Sequence, residues 1–381
     1  MTETCDTLKP YKASSGKFVV PDDLVRLLLH CEKFNFSDLH LQTGNRGHID
    51  AEGRKHDALA HRLTNGEMED IINELYRRSS ASGLIAKGQP VDGAYDMSPS
   101  RGERYRYRFN GSGELSAGGA SGMQITIRAL PSDPPSAQQL GLKQADIDDF
   151  IHENGLVVIS GQTGSGKTST LAAVVRYVLE NIPDKKILTA EAPIEFVFDS
   201  VTKNNSMISQ SEVGVHIDTF AAALRSALRR KPEIYMVGEA RDLETIDAAI
   251  EASVTGHLVW TTNHANGAPA TIQRMVMGYP HEVQSLKLFM LCSVMRACIS
   301  QTLVIGTNGK RVALREKLLV TPDVRQILTS KPPLELLSSA QEALVQYGRP
   351  MIVDAQEKYD AGVIDNDTLE LIARTYGEAT R

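Results

Sequence analysis

The sequence predicts an α/β fold organised around a phosphate-binding glycine loop, and three observations carry that prediction. Gly161-Gln162-Thr163-Gly164-Ser165-Gly166-Lys167-Thr168 fits G-x-x-x-x-G-K-[ST] at every fixed position. The apolar run 155–160 before it is long enough for one buried strand. After it, Leu171, Val174, Val175 and Val178 recur at i, i+3, i+4 and i+7, and Pro183 stands where that helix should have ended. Strand, loop and helix form the context this chemistry needs. Glycine opens backbone conformations closed to other residues, so that successive N–H groups can converge on phosphate oxygens at the positive end of a helix. The motif assigns Lys167 to the β and γ phosphates and the Thr168 hydroxyl to Mg²⁺.

The 381 residues suggest about two to three domains. A formal charge of −6 gives no overall basic field for DNA or acidic lipid. Cys5, Cys31, Cys292 and Cys298 form no C-x-x-C pair, so neither a zinc site nor a disulfide framework is expected, and cytosolic residence is the simplest reading. The N-terminus has no apolar core like that of a signal peptide. No window reaches the roughly 18 uncharged apolar residues of a membrane span; the most apolar stretch, 286–305, contains Lys287 and Arg296.

In the first third, Asp22 is expected to cap a helix with Leu24, Leu27, Leu28 and Cys31 on one face. Residues 37–41 alternate like an edge strand, with Asp38 and His40 as exposed polar positions rather than metal ligands. Thr64 and Glu67 form a capping box ahead of Met68, Ile71, Ile72 and Leu75 at helical spacing. Residues 104–110 alternate strictly, which puts Arg104, Arg106 and Arg108 on one strand face, either solvated or set against an anion. Residues 111–122 form a glycine-rich loop, and 124–128 another strand. The linker is 130–136, three prolines in a polar run.

In the middle third, strand 186–190 runs into Glu191 and Glu195, acids at the strand end where open α/β sheets place ligand chemistry. A carboxylate there can take a proton from attacking water. A helix from Asp218 or Thr219 turns Phe220, Leu224 and Leu228 inward and ends in Arg225, Arg229, Arg230 and Lys231. The apolar strand before Gly238-Glu239 is a Walker B candidate whose acid would serve Mg²⁺. Asp242 caps the next helix, with Ile246, Ala249 and Ile250 inward. His257 and His264 bracket one more strand, as γ-phosphate donors or as surface histidines.

These blocks together resemble the secretion-superfamily ATPases of type II and type IV machines, from about residue 36 to 320. The Walker A loop, the acidic box ending Pro193-Ile194-Glu195-Phe196, the Gly238-Glu239 form of Walker B and the histidine box 255–264 stand in family order. The resemblance implies a RecA-like P-loop core, a smaller N-terminal α+β (PAS-like) domain and a C-terminal helical region. It implies ATP and Mg²⁺ as ligands, with nucleotide held by Gly161, Thr163, Gly164, Ser165, Gly166, Lys167, Thr168 and Ser169. Thr168 and Glu239 would hold the metal, and Glu195, Glu239 and His264 would be catalytic. Arg106, Arg108 and Arg128 look like the N-terminal arginines that approach the phosphates. The implied assembly is a cytoplasmic homo-hexamer, peripheral to the inner membrane and working with inner-membrane or core components of a secretion or conjugation apparatus. No span and no nucleic-acid binding are expected.

Two departures bear on the branch. Ala192 replaces the usual Asp of the acidic box, and the tetracysteine zinc element is absent. With the chain's size and its glycine-rich loop, they point to the type IVB secretion and conjugation branch of DotB and TraJ, with pilus retraction ATPases and a non-hydrolysing scaffold as alternatives. Beyond Pro332-Pro333, one helix is expected to carry Leu334, Leu337, Ala340 and Leu344. Another begins at an Asp365 cap and carries Leu369, Ile372 and Tyr376. The expected division is 1–130, linker 131–140, core 141–325 and helical region 326–381.

Overall fold

The computed structural model describes residues 9–376, apart from 14–16, 35, 52–53, 78–79, 101–102, 117–120 and 131–132. The chain divides into two compact units, Met1–Ser132 and Asp133–Arg381.

The first unit contains α1 (Asp22–Glu32), β1 (Asp38–Gln42), β2 (His48–Ala51), β3 (Arg54–Asp57), α2 (Asn65–Tyr76), α3 (Ala81–Ala86), β4 (Val91–Met97), β5 (Tyr105–Leu115) and β6 (Ser121–Leu130). Its strands pair antiparallel in the order β3-β2-β1-β6-β5-β4. The expected stripe of α1 is buried, although the N-cap is Pro21 and Asp23 instead accepts the Val19 N–H at 2.8 Å. The capping box of α2 is complete, and Met68, Ile71, Ile72 and Leu75 join Tyr107, Phe109, Ile125 and Ile127 in one core.

Three expectations for this unit are corrected. Strand β1 lies inside the sheet, paired on both sides, and its polar residues are used across strands: Asp38 accepts from Arg128 at 2.8 Å, and His40 lies 3.2 Å from Asp50. In the glycine-rich stretch β5 continues to Leu115 and β6 starts at Ser121, the two paired antiparallel, and residues 117–120 lie outside the described residues. Glycine is used there for close approach, since a Cβ at Gly111 would stand 2.7 Å from Ile72 Cδ1. Finally, the three arginines do not share one solvated face. Arg106 is buried and paired with Asp96, its cross-strand neighbour, at 2.5 Å.

The second unit contains α4 (Gln144–Asp148), β7 (Gly155–Ser160), α5 (Lys167–Asn181), β8 (Lys186–Glu191), β9 (Met207–Glu212), α6 (Phe220–Ala227), β10 (Ile234–Val237), α7 (Leu243–Val254), β11 (Leu258–Asn263), α8 (Ala268–Met277), α9 (His281–Val294), β12 (Met295–Ile305), β13 (Arg311–Leu319), α10 (Pro322–Thr329), α11 (Leu336–Tyr347), α12 (Met351–Asp360) and α13 (Asn366–Tyr376). The sheet order is β13-β12-β7-β11-β10-β8-β9, parallel except for β13. Strands β7, β10 and β11 are buried throughout, as a parallel sheet covered on both faces requires. One face packs on α5 and the other on α6 to α9.

The C-terminal helices belong to this same body. Helix α11 buries Leu336, Ala340, Ala343 and Leu344 in the core that also holds Leu156 and Val158. Leu334 is exposed, because residues 333–335 form a separate 3₁₀ turn before the helix starts. Asp365 caps α13 through the Thr368 N–H at 2.9 Å, and Ile372 packs with Leu314, Met351 and Ala355. Among the described residues no helix is long and apolar enough to cross a membrane.

Replacing the α2 cap, Thr64→Ala, removes a hydroxyl that accepts the Glu67 N–H at 3.3 Å. Urea unfolding followed by far-UV circular dichroism should show a loss of about 1 kcal/mol.

Candidate nucleotide site

The loop between β7 and α5 takes its shape from three glycines with positive φ: Gly161 at 140°, Gly164 at 81° and Gly166 at 82°. At Gly161 the restriction is also spatial, because a Cβ there would stand 2.2 Å from the Gln301 carbonyl oxygen. Lys167 opens α5 and turns back, donating from Nζ to the carbonyls of Gly161 at 2.8 Å and Gln162 at 2.9 Å. Burial pulls the pKa of this ammonium down, while the carboxylates of Glu239 and Glu195 push it up. The site therefore holds a part-desolvated cation that feels two carboxylates, one from the segment after β8 and one from the turn after β10. Ser165 Oγ is buried inside the loop with no partner, and the Cβ direction of Gly164 is open. Both features fit a cradle shaped for an anion.

The turn after β10 is fixed from both sides. Gly238 N–H donates to Ala190 O on β8 at 2.7 Å, and a Cβ at Gly238 would crowd that oxygen at 3.1 Å. From β11, Thr262 Oγ1 donates to Gly238 O at 2.6 Å and Asn263 Nδ2 to Ala240 O at 3.1 Å. These bonds bring Glu239 Oε1 to 3.2 Å from His264 Nε2, just beyond the end of β11. His257 stands at the other end of that six-residue strand, about 20 Å away by strand rise, where it contacts Ala252 O at 3.2 Å.

The acids of the 191–195 box separate by role. Glu191 is buried, accepting from Thr189 Oγ1 at 2.6 Å and Gln210 Nε2 at 3.1 Å. Glu195 is half-buried, and its charge is felt at Lys167. Thr168 and Ser169 are half-buried on the first turn of α5, and Thr163 is exposed. A threonine hydroxyl and a carboxylate are hard oxygen donors, so Thr168 and Glu239 suit Mg²⁺. Among the described residues no group of three or more His, Cys, Asp or Glu forms a metal cluster, and Cys31, Cys292 and Cys298 are free and buried.

Arg106, Arg108 and Arg128 lie in the first unit. Arg106 is held by Asp96, whereas Arg108 and Arg128 are exposed and directly opposite each other on β5 and β6. Sequence reasoning missed Gln301, whose Nε2 donates to Ser165 O at 2.7 Å. It lies 136 residues from the loop it touches, and the only local signal was a polar residue inside the apolar stretch 286–305.

Gly161→Ala should cost at least about 2 kcal/mol, because the neighbouring atom is backbone and cannot swing aside. It should also abolish nucleotide binding. A thermal melt and a fluorescent-nucleotide titration read the two effects separately.

A family model for the type II/IV secretion system protein matches residues 24–346. The chain is 35% identical to the type IV pilus retraction ATPase PilT of Pseudomonas aeruginosa over 325 residues, 84% of this chain and 89% of that one. It is 35% identical to YggR of Escherichia coli over 78% of this chain and 86% of that one. Among solved structures, the Legionella pneumophila ATPase DotB superposes with a TM-score of 0.87 at 37% identity, covering 96% of this chain and 98% of that one. The pilus retraction motor PilT with bound ADP gives 0.77 at 28% identity, with 92% and 96% covered. The chain belongs to the type II/IV secretion system protein family, with the RecA-like core of its ATPases.

Proposed function

We propose that this chain hydrolyses ATP as the motor of a type IVB-like secretion or conjugation apparatus. The observation that carries the reading is the Glu239–His264 contact at 3.2 Å, next to a loop lysine whose charge responds to both Glu239 and Glu195. In this reading Lys167 and the loop amides grip the phosphates, and Thr168 with Glu239 holds Mg²⁺, which would neutralise phosphate charge. Glu195 takes the proton from the attacking water, and His264 donates to the γ-phosphate oxygens as charge develops there. Arg108 and Arg128 are the N-terminal guanidiniums offered to an anion. The likeness to DotB supports the branch. The working form is a homo-hexamer on the cytoplasmic side of the inner membrane, docked on the apparatus rather than spanning the bilayer. Pilus retraction is the second reading, favoured by identity to PilT along most of both chains.

Glu239→Gln should bind ATP with near-normal affinity while turnover falls by roughly 10²–10³-fold, as for loss of one electrostatic contributor. Lys167→Ala should lose binding itself, and chelating Mg²⁺ should stop phosphate release. Wild-type protein that binds ATP without steady phosphate release would instead point to a nucleotide-gated scaffold, for which Ala192 is the motive. Deleting the gene in its host separates the branches: loss of plasmid transfer or protein export supports the first, and loss of twitching the second.

A further inference from the structure

The P-loop of this chain rests on a side chain from the strand next to β7, distant only in sequence. Gln301 is on β12, beside β7, and is 2% exposed. Its amide makes three hydrogen bonds, all to buried residues. Nε2 donates to Ser165 O at 2.7 Å, while Oε1 accepts from Thr170 Oγ1 at 2.9 Å and from Arg315 Nε at 2.9 Å. Arg315 is the direct cross-strand partner of Gln301 on β13. Its backbone N–H donates to Asp354 Oδ2 on α12 at 2.7 Å. Asp354 is itself paired with Arg349 at 2.9 Å and Lys358 at 2.5 Å.

Hydrogen-bond chemistry allows only one orientation of this amide. A guanidinium has donors and no acceptor. Arg315 therefore fixes which end of the Gln301 amide is oxygen, and the NH₂ end is left for Ser165 O. In a trans peptide the C=O and N–H point in opposite directions. A carbonyl of Ser165 held towards Gln301 sets the Gly166 N–H pointing away from Gln301. Gly166, at φ 82°, is the N-cap of α5, where the amides of an anion cradle must converge.

The geometry points to Gln301 as a positioning residue for nucleotide, set in its orientation by Arg315. The pair aims the 165–166 peptide before any ligand arrives. This rests on the nucleotide-binding reading of the loop. It adds that affinity for the phosphate chain is controlled from β12 and β13, by residues that do not touch the nucleotide.

The test uses full-length protein and a fluorescent ATP or ADP analogue, with steady-state phosphate release in parallel. Gln301→Glu keeps an acceptor for Thr170 and Arg315 but sets an oxygen against Ser165 O. It should raise Kd for both nucleotides, and KM for ATP, at least tenfold, with kcat within about threefold of wild type. Gln301→Met has similar length and no polar atoms, and it should do the same. Arg315→Met should weaken binding in the same direction, and the double variant should be no worse than Gln301→Met alone. Folded Gln301 variants with unchanged Kd, or with lowered kcat at unchanged KM, overturn the proposal. So does an additive double variant. Wild-type protein that binds neither nucleotide removes the underlying site as well, an outcome distinct from selective failure of the Gln301 effect.

Discussion

An anion cradle made of backbone amides has no side chain of its own to hold its shape. Those N–H groups that are given to the ligand cannot also be spent on the local hydrogen bonds that normally fix a turn. The shape must then come from outside the loop or from conformations that permit no alternative. Both sources operate here. Gly161, Gly164 and Gly166 take positive φ. The carbonyls, which the ligand does not need, are used as handles: Lys167 takes those of Gly161 and Gln162, and Gln301 takes that of Ser165. One donor is spent inside the loop, Ser165 N–H on Gln162 O at 3.1 Å, and the remaining anchoring falls on the carbonyls.

The same division governs the carboxyl edge of the sheet. Glu239 is placed by backbone and side-chain bonds that use Gly238 and Ala240 and leave its own carboxylate to His264. Those bonds come from β8 and β11, the two strands that flank β10. A displacement of either strand would therefore be felt at Glu239. The carboxylates near Lys167 offset part of the cost of burying its ammonium.

What could be read from the sequence was what is local. The strand, loop and first helix of the core are contiguous, and their periodicity and glycine spacing report directly on burial. Thr64 with Glu67, and Asp242, acted as caps because capping is decided within three residues. The larger failures were questions of pairing. Residues 37–41 alternate identically whether one neighbour strand is present or two, so the interior position of β1 was invisible. Glycines 111–122 looked like a loop because nothing in the run itself shows Ile72 lying against it. The resemblance singles out His264 over His257, and the strand between them puts only the His264 end beside Ser160, where the glycine loop begins. Gln301 could not be found at all, since a buried amide acquires its meaning from partners on other elements.

The arginines of the first unit show how burial, more than charge, decides which guanidinium is already committed to a partner. Arg106 pairs with Asp96 and is 4% exposed on its side chain, while Asp96 is 41% exposed. Withdrawing its guanidinium would break a pair whose cost is about 3 kcal/mol or more when fully buried, and less here because water reaches Asp96. No comparable price is attached to Arg108. It faces solvent directly across from Arg128, and like charges directly opposite on neighbouring strands are destabilising. Asp38 relieves part of that repulsion through its 2.8 Å contact with Arg128. An anion set against both would relieve the rest. The strand pattern alone makes Arg106 and Arg108 alike; the buried contact with Asp96 separates them, while Arg128 is exposed and partly engaged by Asp38.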